Sequence, residues 1–175
     1  MNDNTSKESP VNAWLNILPS LKSGVPSISQ ILIEGKKAKE LGGNSSSGVY
    51  ESLIFLLHNS VVSLETDFSG ARFAYGGIGI VIHKHAEIGH DVMIGQGVTL
   101  GGGGKPRLAR SGKRSYVPKI NDHVYIAAGA RVLGGIEVGS LSIIGANAVV
   151  AQNIPPLSIV TGIPGEVSKT INPKN

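Results

Sequence analysis

The sequence predicts a mainly β protein: a parallel β-coil of six-residue repeats, with a helical N-terminal extension and one extruded loop. Three observations predict it. Aliphatic residues recur every six positions through the second half of the chain, glycine accounts for 24 of 175 residues, and charged and aromatic residues are scarce at 16% and 5%. An apolar share of 41% sets the chain apart from disordered sequences, so a regular, turn-rich structure made without large side chains is expected.

The repeat sets the architecture. Ile82, Ile88, Ile94 and Leu100 are spaced by six, and Ile120, Ile126, Val132, Val138, Ile144 and Val150 resume that spacing. Four residues after most of these anchors stands another small or aliphatic residue: Ala86, Val92, Val98, Val124, Ala130, Ile136 and Ala148. A period of six fits neither a helix nor an alternating strand, but it fits a short strand that turns and repeats. Three such sides close a triangular coil whose anchors stack on equivalent positions eighteen residues away. Glycines directly after anchors, as at Gly89, Gly95, Gly139 and Gly145, are expected to serve corners that need positive φ. From Leu100 to Ile120 the anchors lie twenty residues apart where eighteen would preserve register, so a loop over 102–118 is expected to leave the coil.

Upstream the six-residue pattern dissolves. Val11–Leu21, Ile28–Leu41 and Val49–Leu64 have helix-like apolar spacing, interrupted by Pro19, Gly24, Pro26 and the glycine- and serine-rich stretch 42–48. The expected organisation is a disordered tail over 1–10, a helical extension over 11–66, the repeat coil over 67–166 with a degenerate first turn near Asp67–Gly79, and a C-terminal tail over 167–175.

Composition narrows the function classes. The absence of cysteine removes disulfides, thiolate nucleophiles and sulfur-ligated zinc, and fits a reducing cytoplasm. The N-terminus has no basic start leading into an apolar run, and the longest apolar stretch, Ser52–Leu64, is broken by His58 and Asn59 and is too short to cross a bilayer. A cytoplasmic protein without membrane insertion is expected. A net charge of +4, with no nucleic-acid motif, sets nucleic-acid binding aside. Six bases, Lys105, Arg107, Arg110, Lys113, Arg114 and Lys119, fall between Gly101 and Lys119 with no acid among them. They read either as a solvated loop or as a basic flap over a phosphate-bearing or acidic substrate.

The segments 88–102 (IGHDVMIGQGVTLGG), 126–139 (IAAGARVLGGIEVG) and 145–150 (GANAVV), with the closing GIPG at 162–165, resemble the hexapeptide-repeat acetyltransferases. Serine acetyltransferase and its sugar-modifying relatives are the nearest branch, and the likeness covers roughly Tyr75–Lys169. The resemblance implies a left-handed parallel β-helix, a homotrimer, and acetyl-CoA lying in the groove between adjacent subunits, with no metal. It further implies that Gly101, Gly102, Ala128, Gly129 and Ala146 line the pantetheine track, with Lys105 and Lys169 as its cationic contacts. Two departures stand out. The Asp-His pair that serine acetyltransferases resemble one another in carrying is Tyr75-Gly76 here, and a later family histidine is Val117. An acyltransferase acting on a sugar or surface-polysaccharide hydroxyl is therefore the expected function, with L-serine as the alternative acceptor.

Acetyl transfer from a thioester to a hydroxyl needs a base, usually histidine. Of five histidines, His58 falls in the helical extension and reads as structural, and His123 beside Asp122 reads as a surface turn residue. His83, His85 and His90 remain as catalytic candidates. One coil after His83 comes Gly101, whose missing side chain would leave room for a thioester; His85 would stack over Gly103 and His90 near Leu108. Glu87 or Asp91 would orient the imidazole, and a backbone N–H within Gly101–Gly104 would hold the oxyanion. Two rivals are a metalloenzyme similar to the γ-class carbonic anhydrases, for which His85 and His90 lack a third ligand, and a catalytically silent homologue that has lost both family histidines.

Overall fold

The computed structural model describes residues 24–40, 47–68, 70–108 and 114–172. The helix expected over Val11–Leu21, the disorder expected over 1–10 and most of the 42–48 loop lie outside these residues.

Among the described residues, two helices precede the coil. Helix α1 (Ile28–Glu40) starts with a capping box: the Ser27 backbone N–H donates to Gln30 Oε1 at 2.7 Å, and the Gln30 N–H donates back to Ser27 Oγ at 3.4 Å. It buries Ile28, Ile31 and Leu32 against α2 (Ser47–His58) and the coil. Helix α2 stops at His58, six residues short of the expected Leu64, with Asn59 at φ 51°. The reason lies downstream. Val61 pairs in parallel with Val81, so the β-branched Val61-Val62 segment already belongs to the first turn of the coil.

The coil has three faces of short parallel strands. Face A stacks Val81–Ile82, Thr99–Gly101, Arg131–Leu133 and Val149–Val150. Face B stacks Arg72–Phe73, Met93–Ile94, Tyr125–Ile126, Ile143–Ile144 and Ser158–Thr161, and Glu166–Thr170 folds back antiparallel on the last of these. Face C stacks Glu87–Ile88, Lys119–Ile120 and Glu137–Val138. Every anchor points inward and is buried except half-buried Ile88, and the second set, from Ala86 to Ala148, is buried with them. Burial is thus continuous along the axis, although no single turn encloses a core.

Register shows what the loop is. Ile82 pairs with Leu100 and Ile126 with Ile144, both eighteen residues apart, whereas Leu100 pairs with Val132 and Ile94 with Ile126, both 32 apart. The difference, 32 − 18, is an insertion of fourteen residues. The coil does not slip; it continues in register beneath a loop that leaves at one corner and returns to it. Within that loop Arg107–Leu108 and Arg114–Ser115 pair as an antiparallel ribbon, and Arg110 and Lys113 lie outside the described residues.

The corner glycines do two separate jobs, which corrects the expectation from sequence. Gly95, directly after an anchor, does not have positive φ; a Cβ there would fall 2.7 Å from the Ala128 backbone nitrogen, so glycine is required by close approach of the next turn. Positive φ belongs two residues later, at Gly97 (φ 68°), in a column with Gly79, Gly129 and Asn147.

Candidate functional site

The corner between faces B and A is a regular column. Backbone N–H groups of Gly79, Gly97, Gly129 and Asn147 donate to the carbonyls of His58, Ile78, Gln96 and Ala128 at 2.8–2.9 Å. His58, Ile78, Gln96, Ala128 and Ala146 are therefore equivalent positions on successive turns. The sequence candidates Ala128, Gly129 and Ala146 all lie on this corner, whereas exposed Lys169 lies on the terminal strand opposite Ile159, on the last rung of face B but at the edge away from the corner. Gly101 and Gly102 lie on the opposite edge of face A, where the loop departs. A single chain does not bring the two groups together.

That second edge carries His83. Its backbone N–H donates to Leu100 O at 2.9 Å, which sets it directly over Gly101 as the spacing predicts. His83, Lys84, Val81 and Gly101 form one wall of a cleft of about 850 Å³, and Glu51, Ser52, Phe55 and Leu56 of α2 form the other. The exposed rings of His83 and His85 are 5.5 Å apart, and the His85 backbone N–H donates to His83 Nδ1 at 3.2 Å. The expected position of His85 over Gly103 is not realised. Gly103 instead lies against Gly134 and donates its N–H to Tyr116 O at 2.9 Å, which also removes it from the expected oxyanion donors.

His90 is displaced from its expected place near Leu108, because the fourteen inserted residues leave the coil's stacking intact. Its N–H donates to Asp122 Oδ1 at 2.8 Å, and its carbonyl accepts from the His123 N–H. Asp91 pairs with exposed His123 (Nδ1 to Oδ2, 3.7 Å) rather than with any of the three candidate histidines. Glu87 is likewise taken. Its Oε1 accepts from Arg107 Nη2 at 2.8 Å, and its Oε2 is buried without a partner. Neither carboxylate orients His83.

The basic loop is only partly a flap. Arg107, 9% exposed at its side chain, is pinned to Glu87, and Lys119 is bound to Glu137, while Lys105 and Arg114 remain exposed. On face C, hydrogen bonds from Lys119 and then from Asn121 hold the Glu137 carboxyl below the usual carboxylate range. A depressed folded-state pKa stabilises above the unfolded carboxylate pKa, and that contribution is lost as pH falls through the folded value. Urea midpoints of wild type and Glu137→Gln are accordingly expected to differ at neutral pH and to converge in acid. A gap that stays constant down to acid pH would show that the ladder contributes nothing through ionisation.

Among the described residues no group of three or more His, Asp or Glu side chains could hold a metal ion, and no helix is long and apolar enough to cross a membrane.

The family described as bacterial transferase hexapeptide (six repeats) matches residues 118–152, on the turns that stack beneath the loop. Residues 118–152 are thus similar to hexapeptide repeats, and the chain around them is similar to serine acetyltransferases. It is 54% identical over 93 residues to the serine acetyltransferase of Staphylococcus aureus strain Mu50, covering 53% of this chain and 41% of that protein. To the serine acetyltransferase of Mycobacterium tuberculosis strain H37Rv it is 50% identical over 99 residues, covering 56% and 41%. Among solved structures, the serine acetyltransferase of Brucella abortus strain S19 in complex with coenzyme A superposes with a TM-score of 0.67 at 27% identity, covering 82% of this chain and 55% of that one. The chain thus spans about two fifths of the length of those two relatives and about half of the solved one.

Proposed function

We propose that the protein is an acetyl-CoA-dependent O-acetyltransferase, working as a trimer of left-handed coils with the cofactor between adjacent copies. The observation that carries this reading is the likeness over more than half of the chain to proteins named serine acetyltransferase. Structures of such proteins with coenzyme A support the cofactor. The two separated edges of face A support the between-copy location: a groove formed by two chains would pair Gly101 and Gly102 of one copy with Ala128, Gly129 and Ala146 of the next.

The acceptor these relatives favour is L-serine, in preference to the carbohydrate hydroxyl expected from sequence. Serine would approach from the cleft between α2 and face A, which His83 lines. The carbohydrate reading keeps one specific support, the Tyr75-Gly76 departure, and the same assay separates the two.

CoA-thiol release from acetyl-CoA by the purified protein is expected with L-serine. Release with sugars or nucleotide sugars and none with serine would return the acceptor to carbohydrate. Tight acetyl-CoA binding without turnover on any acceptor would leave a silent homologue.

A further inference from the structure

His58, set aside from sequence as a structural residue of the helical extension, has the geometry of a base. It is 5% exposed, and its Nε2 lies 2.7 Å from Pro26 O. A carbonyl oxygen can only accept, so Nε2 carries the proton and donates it; in the neutral imidazole Nδ1 then holds the lone pair. Among the described residues no hydrogen bond to Nδ1 is present. The tautomer that a proton acceptor needs is thus fixed by a backbone group that does not titrate.

The space beside that nitrogen is open for a specific reason. A methyl group on Gly76 would stand 3.5 Å from His58 Cε1 and 3.9 Å from Nδ1, so a side chain at this position would cover the Cε1–Nδ1 edge, and glycine leaves it uncovered. Gly76 sits in the turn Ala74–Gly77, where Tyr75 and Gly76 both have positive φ (50° and 73°), a backbone path that carries the turn past the imidazole.

Position on the coil supplies the connection to the reaction. His58 heads the corner column that continues through Ile78, Gln96, Ala128 and Ala146. With Ala128, Gly129 and Ala146 along that corner and Lys169 on the last rung of the adjoining face B, a cofactor whose phosphates face that end of the coil directs its thioester toward the His58 end. Four turns separate Ala146 from His58, about 19 Å at the usual strand spacing of about 4.8 Å.

We propose that His58 is the general base: its Nδ1 takes the proton from the acceptor hydroxyl as that oxygen attacks the thioester carbonyl. The C–S bond then breaks, and the proton passes to the departing CoA sulfur, giving the O-acetyl ester and CoA thiol. The proposal rests on the acetyl-transfer reading above and moves the base from His83, on the other edge of face A, to a residue that the sequence did not offer for it.

His58→Gln tests it, because the glutamine amide N–H can still reach Pro26 O while offering no basic nitrogen. CoA release with L-serine, coenzyme A affinity and melting temperature are measured for wild type, His58→Gln and His83→Gln. The expected result for His58→Gln is a kcat lowered about 100-fold or more, with the KM for acetyl-CoA and the melting temperature little changed. A folded His58→Gln protein within threefold of wild-type kcat overturns the proposal. If His83→Gln alone loses turnover, the base returns to His83 and acetyl transfer stands. Should His58→Gln not fold, the ring-nitrogen NMR signals of wild type decide: an unprotonated Nδ1 that shifts when coenzyme A and serine bind supports the role, and a signal unmoved by saturating ligand overturns it. A wild type that releases no CoA with any acceptor removes the acetyl-transfer reading and this proposal with it.

Discussion

Ile126→Ala is expected to lower folding stability by about 2–5 kcal/mol, the range for truncating a fully buried branched aliphatic side chain. Ile126 has no exposed surface and stands mid-column on face B, paired with Ile94 on the turn before and Ile144 on the turn after. Those neighbours cannot move in to fill the gap. Their backbones are held at ladder spacing by hydrogen bonds such as Gly95 N–H to Ile126 O and Ala127 N–H to Ile144 O, both 2.8 Å. The cavity therefore persists, and the cost belongs at the upper part of the range. Ile88→Ala is the internal comparison, since Ile88 occupies the same kind of anchor position on face C but is only half buried. Urea denaturation of both variants measures the difference. Equal, small losses would mean that turns of the coil relax around vacancies, contrary to a close-packed column.

The anchors explain why the coil was legible. Burial on three faces forces aliphatic residues at every sixth position, so Ile120, Ile126, Val132 and Val138 announce both the strands and their inward direction. The size of the insertion was less legible, because the anchor spacing alone mistakes fourteen added residues for a slip of two; only the 32-residue pairing of Leu100 with Val132 resolves it. The end of α2 was misread for a related reason. Leu57, Val61, Val62 and Leu64 satisfy a helical period and an entering strand equally well, and the tie is broken by Val61 pairing with Val81, a contact no local pattern reports.

Candidate site residues were harder to read, because corners are defined by hydrogen bonding across turns rather than by residue type. His83 over Gly101 followed directly from the eighteen-residue spacing, since no insertion intervenes. His90 and His85 were placed wrongly because their expected neighbours lie in the loop, where coil arithmetic fails. His58 was hidden by its assignment to a helix. The signal available in sequence was Ser60-Val61-Val62, a strand-like run immediately after it, which would have placed His58 at a corner.

Arg107→Met is the second substitution with a large expected effect, and its reason lies in how the loop is tied to the coil. Arg107 is nearly enclosed; its Nη2 donates to Glu87 Oε1 at 2.8 Å and its Nε to Val117 O at 3.2 Å. Removing it leaves Glu87, whose Oε2 already has no partner, as a half-buried carboxylate with both oxygens unsatisfied. Breaking one side of a buried pair costs about 3–5 kcal/mol when both charges are enclosed. The Glu87 side chain is 32% exposed, which admits water and brings the expected loss to about 1–3 kcal/mol. The companion variant Arg107→Met with Glu87→Leu should recover most of that loss, because no charge is then stranded. A double-mutant cycle by urea denaturation isolates the coupling. Coupling near zero would mean that the ribbon at Arg107–Leu108 and Arg114–Ser115 is held by its backbone contacts with Gly135 rather than by the ion pair. Strong coupling would make Glu87 the anchor of the loop, so that this carboxylate serves to position the basic segment instead of an imidazole.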